Sequence, residues 1–211
     1  MALGVGLSAA DPEKSAPCFD FTRKIDEPLR LPIPLVEGRD EAVFGTYPDG
    51  MDWASGRAIL DVPIRSAYEK LLDPRHVKDM KKTTLRTTLL DSPLYLRRQE
   101  VDVVVTVKVL FTKVKVAWTE AWGYSLVAGT PDDPRKIVIS YQKTAGSRHL
   151  KHLCGSYVLE SREDGRTDLA LYEEVRASRR SAEDTRRMHA GILRNLRAPA
   201  AEESATRGPA E

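Results

Sequence analysis

The stretch from Gly155 to Val175 places the strongest constraint on the fold of this chain. Two runs of alternating residues flank the dipeptide Asp164-Gly165, and an Asp-Gly pair between such runs is among the strongest local signals for a β-hairpin. Because successive side chains of a strand point to opposite faces, each predicted strand has one apolar face, formed by Tyr157, Leu159, Leu169, Leu171 and Val175. The hairpin therefore has to lie against a hydrophobic core.

The same period of two extends upstream of the hairpin. Alternating segments separated by turn residues predict six successive strands, at 83–90, 94–111, 114–127, a segment marked by Ile137, Ile139 and Tyr141, 150–161 and 166–178. Short connections between consecutive strands favour antiparallel pairing. The central part of the chain is therefore expected to be one antiparallel sheet.

Helical patterns flank this sheet. A short strand at 57–62 leads through Pro63 into a helix whose apolar positions recur at helical spacing, and 75–80 is expected to form a second short helical turn. After the sheet, Ser181 and Asp184 resemble a capping box. The following helix carries an apolar stripe and ends before Pro199; its stripe is Met188, Ile192, Leu193 and Leu196.

These patterns divide the chain into three parts. Residues 1–55 are rich in proline and acidic residues and are predicted to form an irregular extension, although five aromatic residues between 19 and 53 argue against full disorder. Residues 56–197 form the compact domain, and 198–211 a disordered tail. Residues 1–10 end in a small-x-small pattern, but they contain no Lys or Arg. The chain as written is expected to be cytoplasmic, or periplasmic or secreted if these residues end a longer signal peptide.

Composition excludes several classes of partner. The net charge is +2 over 211 residues, too balanced to indicate nucleic acid, and no apolar run of about 18 residues predicts a transmembrane segment. Cys18 and Cys154 lack zinc-type spacing, and a bridge between them is expected only after export. His149, His152 and Cys154 suggest a metal site, but no further ligands are evident. We therefore predict no metal and no other cofactor.

The order of elements resembles the START-like (Bet v 1-like, helix-grip) superfamily. The matching motifs are the strand and helix at 58–73, the sequences Gly155-Ser156-Tyr157-Val158-Leu159 and Asp164-Gly165-Arg166-Thr167, and the last helical turns at 192–197. The resemblance implies an α+β helix-grip fold: a curved antiparallel sheet around a C-terminal helix, with two short helices after the first strand. It also implies an apolar cavity that binds lipids, sterols, quinones or polyketides, with aromatases or cyclases in some branches.

This sequence departs from the family pattern at three points. Its closing helix is short, Tyr157 replaces the more usual Trp, and the N-terminal extension has no recognised counterpart. A short closing helix leaves a cavity that is small or open.

Strand parity assigns one set of residues to the cavity side: Val105, Val107, Trp118, Trp122, Tyr124, Tyr141, Tyr157, Leu159, Leu171, Met188 and Ile192. An apolar pocket with a few polar groups is the usual form of a small-molecule site. The alternative is that these residues meet in a filled core. Glu120 and Glu173 fall on the same face, where a carboxylate serves as a ligand anchor or an acid/base, unless it pairs with a Lys or Arg or lies outside the cavity.

Three hypotheses for the function follow. The sequence has no phosphate-binding glycine loop, nucleophile elbow or metalloprotease helix, so the leading hypothesis is non-enzymatic binding of a lipid or other hydrophobic small molecule. The first alternative is a cyclase- or aromatase-like enzyme that uses Glu120 or Glu173 as the acid/base. The second is a protein-interaction module with a filled core, acting through its N-terminal extension or its Arg-rich last helix. The oligomeric state is not indicated.

Overall fold

The computed structural model describes residues 17–29, 41–78, 83–109, 112–178 and 182–197. Within these residues the strands are β1 (Glu41–Thr46), β2 (Asp52–Leu60), β3 (Thr83–Leu90), β4 (Arg97–Val109), β5 (Thr112–Gly129), β6 (Pro134–Gly146), β7 (Leu150–Ser161) and β8 (Thr167–Ala177). The helices are α1 (Ile64–Leu72) and α2 (Ala182–Arg197), and Pro74–Val77 forms a 3₁₀ turn after α1.

The strands form one curved antiparallel sheet in the order β1-β2-β8-β7-β6-β5-β4-β3. All six strands predicted between Thr83 and Ser178 are present, and β3 and β7 have the predicted bounds. At the predicted turn, Gly165 has a φ of +80°, a backbone conformation that glycine adopts without strain. The hairpin prediction and the α+β helix-grip fold class are confirmed.

The prediction that 41–55 is irregular is wrong. Glu41–Thr46 pairs with β2 across a turn in which Gly50 has a φ of +80°, and β2 begins at Asp52 rather than at Arg57. All of β2 pairs with β8, from Asp52 opposite Val175 to Leu60 opposite Thr167. Because that partner is more than a hundred residues away, local sequence revealed only the second half of this strand. Three predictions lie outside the described residues: the one for residues 1–10, the helix cap at Ser181 and the tail at 198–211.

The helices cover one face of the sheet, which we call the inner face; the opposite face is the outer face. Helix α1 contacts β6 and β7, whereas α2 contacts β1, β2 and the 3₁₀ turn. Two hydrogen bonds hold the end of α2: Lys70 Nζ donates to the Leu196 carbonyl at 3.0 Å, and Asn195 Nδ2 donates to the His76 carbonyl at 3.2 Å. The inner face of β3 and β4 therefore lies next to α1 and is not covered by α2.

Residues 17–29 pack on the outer face. The side-chain amide of Gln142 bonds to both backbone groups of Phe19, accepting from its N–H and donating to its carbonyl at 2.9 Å each. Further along, the Leu29 N–H donates to Ser156 Oγ at 2.9 Å. A disulfide joins Cys18 to Cys154, so Cys154 is not a lone buried thiol. No helix among the described residues is long and apolar enough to span a bilayer.

Candidate functional site

Four aromatic rings occupy the centre of the inner face. Trp122 of β5 is directly opposite Tyr141 of β6, and their ring centroids lie 4.6 Å apart with an interplanar angle of 16°. The rings of Tyr124 and Tyr157 each stack on Trp122 at 6.2 Å. All four residues are buried. Offset stacking across neighbouring strands fills this part of the predicted cavity.

Gly155 makes this stack possible. It is opposite Tyr141 in the sheet, and a Cβ atom at this position would lie 2.2 Å from the Tyr141 hydroxyl. Any other residue would therefore displace the ring. The glycine of the Gly-x-aromatic motif at 155–157 is required by packing against Tyr141.

Glu120 is fully buried beside these rings. Its carboxylate accepts hydrogen bonds from Lys78 Nζ at 2.7 Å, from Trp118 Nε1 at 2.7 Å and from Trp122 Nε1 at 2.9 Å. The Lys78 side chain is 12% exposed, and its ammonium lies 5.9 Å from the ring centroids of Trp122 and Tyr141. The ion-pair alternative foreseen for Glu120 is what the structure forms, and it compensates the cost of burying the charge.

Glu173 is the second buried carboxylate of the inner face. The Tyr141 hydroxyl donates to its Oε2 atom at 2.8 Å. Burial, and next the negative charge of Glu173, raise the pKa of Tyr141 well above its ordinary value. The same two causes, in the same order, raise the pKa of Tyr157. Both phenols therefore keep their protons at neutral pH and remain hydrogen-bond donors.

An open groove of about 440 Å³ lies next to this cluster, between the end of α1 and strands β3 and β4. Its lining consists of Leu72, Asp73, Pro74, Arg75, Leu85, Thr87 and Arg97. Leu72 and Leu85 also pack against the hydrophobic core, so they separate the groove from the buried rings. The lining is mixed, because Leu72, Pro74 and Leu85 are apolar and the other four residues are polar or charged.

A buried chain of hydrogen bonds connects the groove to the aromatic rings. Arg97 Nε donates to Gln99 Oε1 at 2.8 Å, and Gln99 Nε2 donates to the Tyr124 hydroxyl at 2.8 Å. That hydroxyl donates in turn to the Leu71 carbonyl at 3.0 Å. Burial raises the pKa of Tyr124 well above its ordinary value, so its proton stays in place.

Most of the predicted site residues on the strands form one cluster, connected by hydrogen bonds and ring stacking: Trp118, Glu120, Trp122, Tyr124, Tyr141, Tyr157 and Glu173. Leu159, Leu171 and Ile192 belong to the surrounding hydrophobic core, and Val105 and Met188 pack against it partly buried. The side chain of Val107 lies outside the described residues. Parity along the strands therefore predicts that Trp118, Glu120, Trp122, Tyr124, Tyr141, Tyr157 and Glu173 share one face, and the structure joins them in one cluster.

Sequence reasoning missed three polar residues of this region: Lys78, Gln99 and Arg97. Gln99 and Arg97 share the strand parity of Val101 and Val103, which are fully buried, and this alternation was a usable signal. Lys78 follows the 3₁₀ turn, where no period exists, and only the tertiary structure brings it to Glu120.

The outer face carries the metal candidates. Ligand atoms of Cys18, His152 and Cys154 lie within 4.8 Å of one another. His149, which the sequence grouped with them, is exposed and is not part of this cluster.

Solved structures share this fold. A STAR-related lipid transfer protein from Xanthomonas axonopodis is 13% identical, with a TM-score of 0.52, covering 78% of this chain and 94% of its own. The human StarD13 lipid transfer and protein localization domain is 11% identical, with a TM-score of 0.49 and coverages of 76% and 89%. The Zhui aromatase/cyclase from Streptomyces sp. R1128 is 18% identical, with a TM-score of 0.42 and coverages of 69% and 86%.

This chain has the α+β helix-grip fold that the sequence resemblance implied, and the lipid transfer protein from Xanthomonas axonopodis shares that fold. No protein-family model and no curated protein matches the sequence. At these identities the likeness establishes the fold alone.

Proposed function

We propose that this protein binds a lipid or other hydrophobic small molecule on the inner side of its sheet, without chemical conversion. The observation that carries the proposal is the groove of about 440 Å³, whose lining includes Leu72 and Leu85 at the edge of the hydrophobic core. Small-molecule sites typically measure about 300–1,000 Å³ and combine an apolar lining with a few polar groups. Leu72 and Leu85 supply the apolar contact, and Arg97 supplies a polar group at the rim.

The fold supports the same conclusion. A lipid transfer protein has the same fold. The stacked rings of Trp122, Tyr141 and Tyr157 are buried and do not line the groove. We therefore place the ligand in the groove rather than at the centre of the aromatic cluster.

Encapsulation provides the binding energy. Removal of apolar surface from water stabilises a complex by about 25 cal/mol per Å², so 300 Å² of buried apolar area contributes roughly 7 kcal/mol before the entropic cost of association.

The test is native mass spectrometry of the purified protein, followed by thermal unfolding with long-chain fatty acids and sterols. We expect a bound apolar molecule or a ligand-dependent rise in Tm for the wild type. Leu85→Glu places a charge in the groove and is expected to abolish both signals. Leu89→Glu is the matched control, because Leu89 lies on the same strand, is 61% exposed and does not line the groove.

Two outcomes contradict the proposal. If the wild type carries no ligand and is stabilised by none, the inner face is a filled core, and the interaction module becomes the better explanation. If Leu85→Glu binds as well as Leu89→Glu, the ligand lies elsewhere.

A second function, a cyclase- or aromatase-like reaction, is favoured by one observation, the hydrogen bond from Tyr141 to the buried Glu173. A buried carboxylate next to a protonated phenol has the composition of an acid/base pair. If the protein converts an aromatic polyketide-type substrate, Glu173→Gln is expected to lower kcat by about 100-fold or more while leaving KM within a few-fold. An unchanged kcat in this variant would remove Glu173 from the chemistry.

A further inference from the structure

The outer face of β7 and β8 holds a compact cluster of potential metal ligands that the inner-face function does not use. Cys154 and His152 lie on β7, and Cys18 reaches them from the segment 17–29. The ligand atoms of these three residues all lie within 4.8 Å of one another. In the structure the two sulfur atoms form a disulfide.

One distance in the cluster already matches that of a tetrahedral zinc site. With Zn–S of about 2.3 Å and Zn–N of about 2.0–2.1 Å, a tetrahedron places sulfur and nitrogen ligands about 3.6 Å apart. Cys18 Sγ and His152 Nε2 are 3.6 Å apart. The histidine is therefore already at ligand distance from the first sulfur atom.

Glu174 is the neighbouring carboxylate that completes the proposed ligand set. It is directly opposite Cys154 in the β7–β8 register, and its Oε2 atom lies 3.9 Å from His152 Nε2, against about 3.4 Å for an ideal tetrahedral edge between nitrogen and oxygen. The Glu174 carboxylate is not within 4.8 Å of both sulfur atoms, so its side chain has to rotate towards them to bind the same ion. Its Oε1 atom accepts a hydrogen bond from the Tyr172 hydroxyl at 2.8 Å, and that hydroxyl is 2.7 Å from the Tyr47 hydroxyl. Such partners orient a metal-binding carboxylate.

We propose that reduction of the disulfide converts this cluster into a zinc site formed by Cys18, Cys154, His152 and Glu174. A two-electron reductant, a dithiol or a phosphine, cleaves the S–S bond and leaves as its own disulfide or as its phosphine oxide, whose oxygen comes from water. Each freed sulfur takes one proton, from the dithiol or from that water, and releases it when it binds Zn²⁺ as a thiolate. Rotation of the two cysteine side chains moves the sulfurs apart to the tetrahedral edge of about 3.8 Å.

The resulting site is closed, with four protein ligands and no position for a substrate, so its role is structural. Cys18 is then attached to β7 by the metal instead of by the disulfide. The segment 17–29 is thereby held on the outer face under oxidising and reducing conditions alike.

The experiment uses the full-length protein and Co²⁺ as a spectroscopic probe. We expect the oxidised protein to give no thiolate–cobalt absorption. After treatment with a phosphine reductant and removal of the excess, one equivalent of Co²⁺ should give the charge-transfer and ligand-field bands of a tetrahedral thiolate site. One equivalent of Zn²⁺ should then displace the cobalt.

Variants test each ligand. In the reduced protein, His152→Gln is expected to weaken Zn²⁺ binding about 100-fold or more and Glu174→Gln about tenfold, since a lost ligand costs at least as much as a lost second-shell partner. Formation of the Cys18–Cys154 disulfide in both oxidised variants, checked by mass spectrometry, shows that they fold. His149→Gln is the control, because His149 is exposed and outside the cluster.

Two results would overturn the proposal. One is reduced wild type that binds Zn²⁺ no more tightly than the double variant Cys18→Ser/Cys154→Ser. The other is His152→Gln that binds as tightly as the wild type. In either case the two cysteines form a disulfide only.

Discussion

The inner and outer faces of β6, β7 and β8 are both buried, but they are built differently. On the inner face, the buried glutamates are hydrogen-bonded by groups of the domain itself, Lys78 and Trp118 for Glu120 and Tyr141 for Glu173. On the outer face, Gln142 and Ser156 bond to a segment that lies more than a hundred residues earlier in the chain.

The inner face is therefore part of the hydrophobic core, whereas the outer face is the surface to which residues 17–29 attach. The inner face combines stacked rings with carboxylates that are hydrogen-bonded or ion-paired, so its stability comes from packing, while these partners offset the cost of burying the charges. The outer face presents small polar side chains whose partners are backbone groups of residues 17–29, held by the disulfide. We therefore expect inner-face substitutions to lower global stability and outer-face substitutions to release the covering segment.

The largest expected effect tests the core directly. Trp122→Ala removes a fully buried ring and should lower the free energy of unfolding by about 4 kcal/mol in urea denaturation. Trp53→Ala is the outer-face control: this partly buried ring stacks on Tyr172 at 6.5 Å, and its loss should cost about 1–2 kcal/mol. Equal losses for the two variants would contradict the distinction between the faces.

The next effect concerns the buried ion pair. Lys78→Met leaves the Glu120 carboxylate without its cation and should cost about 3 kcal/mol, measured by urea denaturation. Adding Glu120→Gln in the double variant should recover about 2 kcal/mol, because the uncompensated charge is then gone. The exposed pair of Arg65 and Glu69, 3.4 Å apart, is the control, and Arg65→Met should cost less than about 1 kcal/mol. A similar cost at both positions would show that burial does not govern the Lys78 interaction.

Two buried glutamines, one on each face, allow the release of residues 17–29 to be compared between an outer-face and an inner-face substitution. Gln142→Leu removes both hydrogen bonds to Phe19, worth about 2 kcal/mol together, so trypsin should cleave the reduced protein after Arg23 about 30-fold faster. Gln99→Leu breaks the bond to Tyr124 on the inner face and should leave this cleavage rate unchanged. Faster cleavage in both variants would mean that the segment is released only by global unfolding.

The smallest effect lies at the hairpin tip, which belongs to neither face. Hydrogen bonds from the Arg166 side chain and backbone lower the pKa of the Asp164 carboxyl to about 2. Because the folded pKa lies below the ordinary value of 3.8, this stabilisation is present above pH 3.8 and is lost as the pH falls towards 2. Arg166→Gln should raise the pKa of Asp164 in a carbon-13 NMR titration. Arg135→Gln, beside Asp133, should leave it unchanged.

How far the sequence predicts this protein depends on where each residue's partners lie. Strand parity places Trp122, Tyr141 and Leu171 on the correct face, because alternation is a property of neighbouring residues. The hairpin at Asp164-Gly165 is predicted for the same reason. Strand β1 and the start of β2 are missed, because their pairing partners lie either across a turn with little alternation or on β8.

The candidate site is predictable in composition but not in its contacts. Glu120 and Glu173 stand out as carboxylates on an apolar face, yet their partners Lys78 and Tyr141 come from other elements. The groove beside α1 forms where that helix approaches β3 and β4. The cluster of Cys18, His152, Cys154 and Glu174 likewise joins residues from three separate segments.

The sequence by itself determined the hairpin from Gly155 to Val175, six strands and the apolar faces that form the core, because these follow from local periodicity and turn chemistry. Only the tertiary structure decided that the aromatic rings stack across the centre, that Lys78 neutralises Glu120 and that Cys18 reaches Cys154. Each of these contacts joins residues that are distant in sequence, and their distances are set by how the helices and the segment 17–29 pack on the two faces of the sheet.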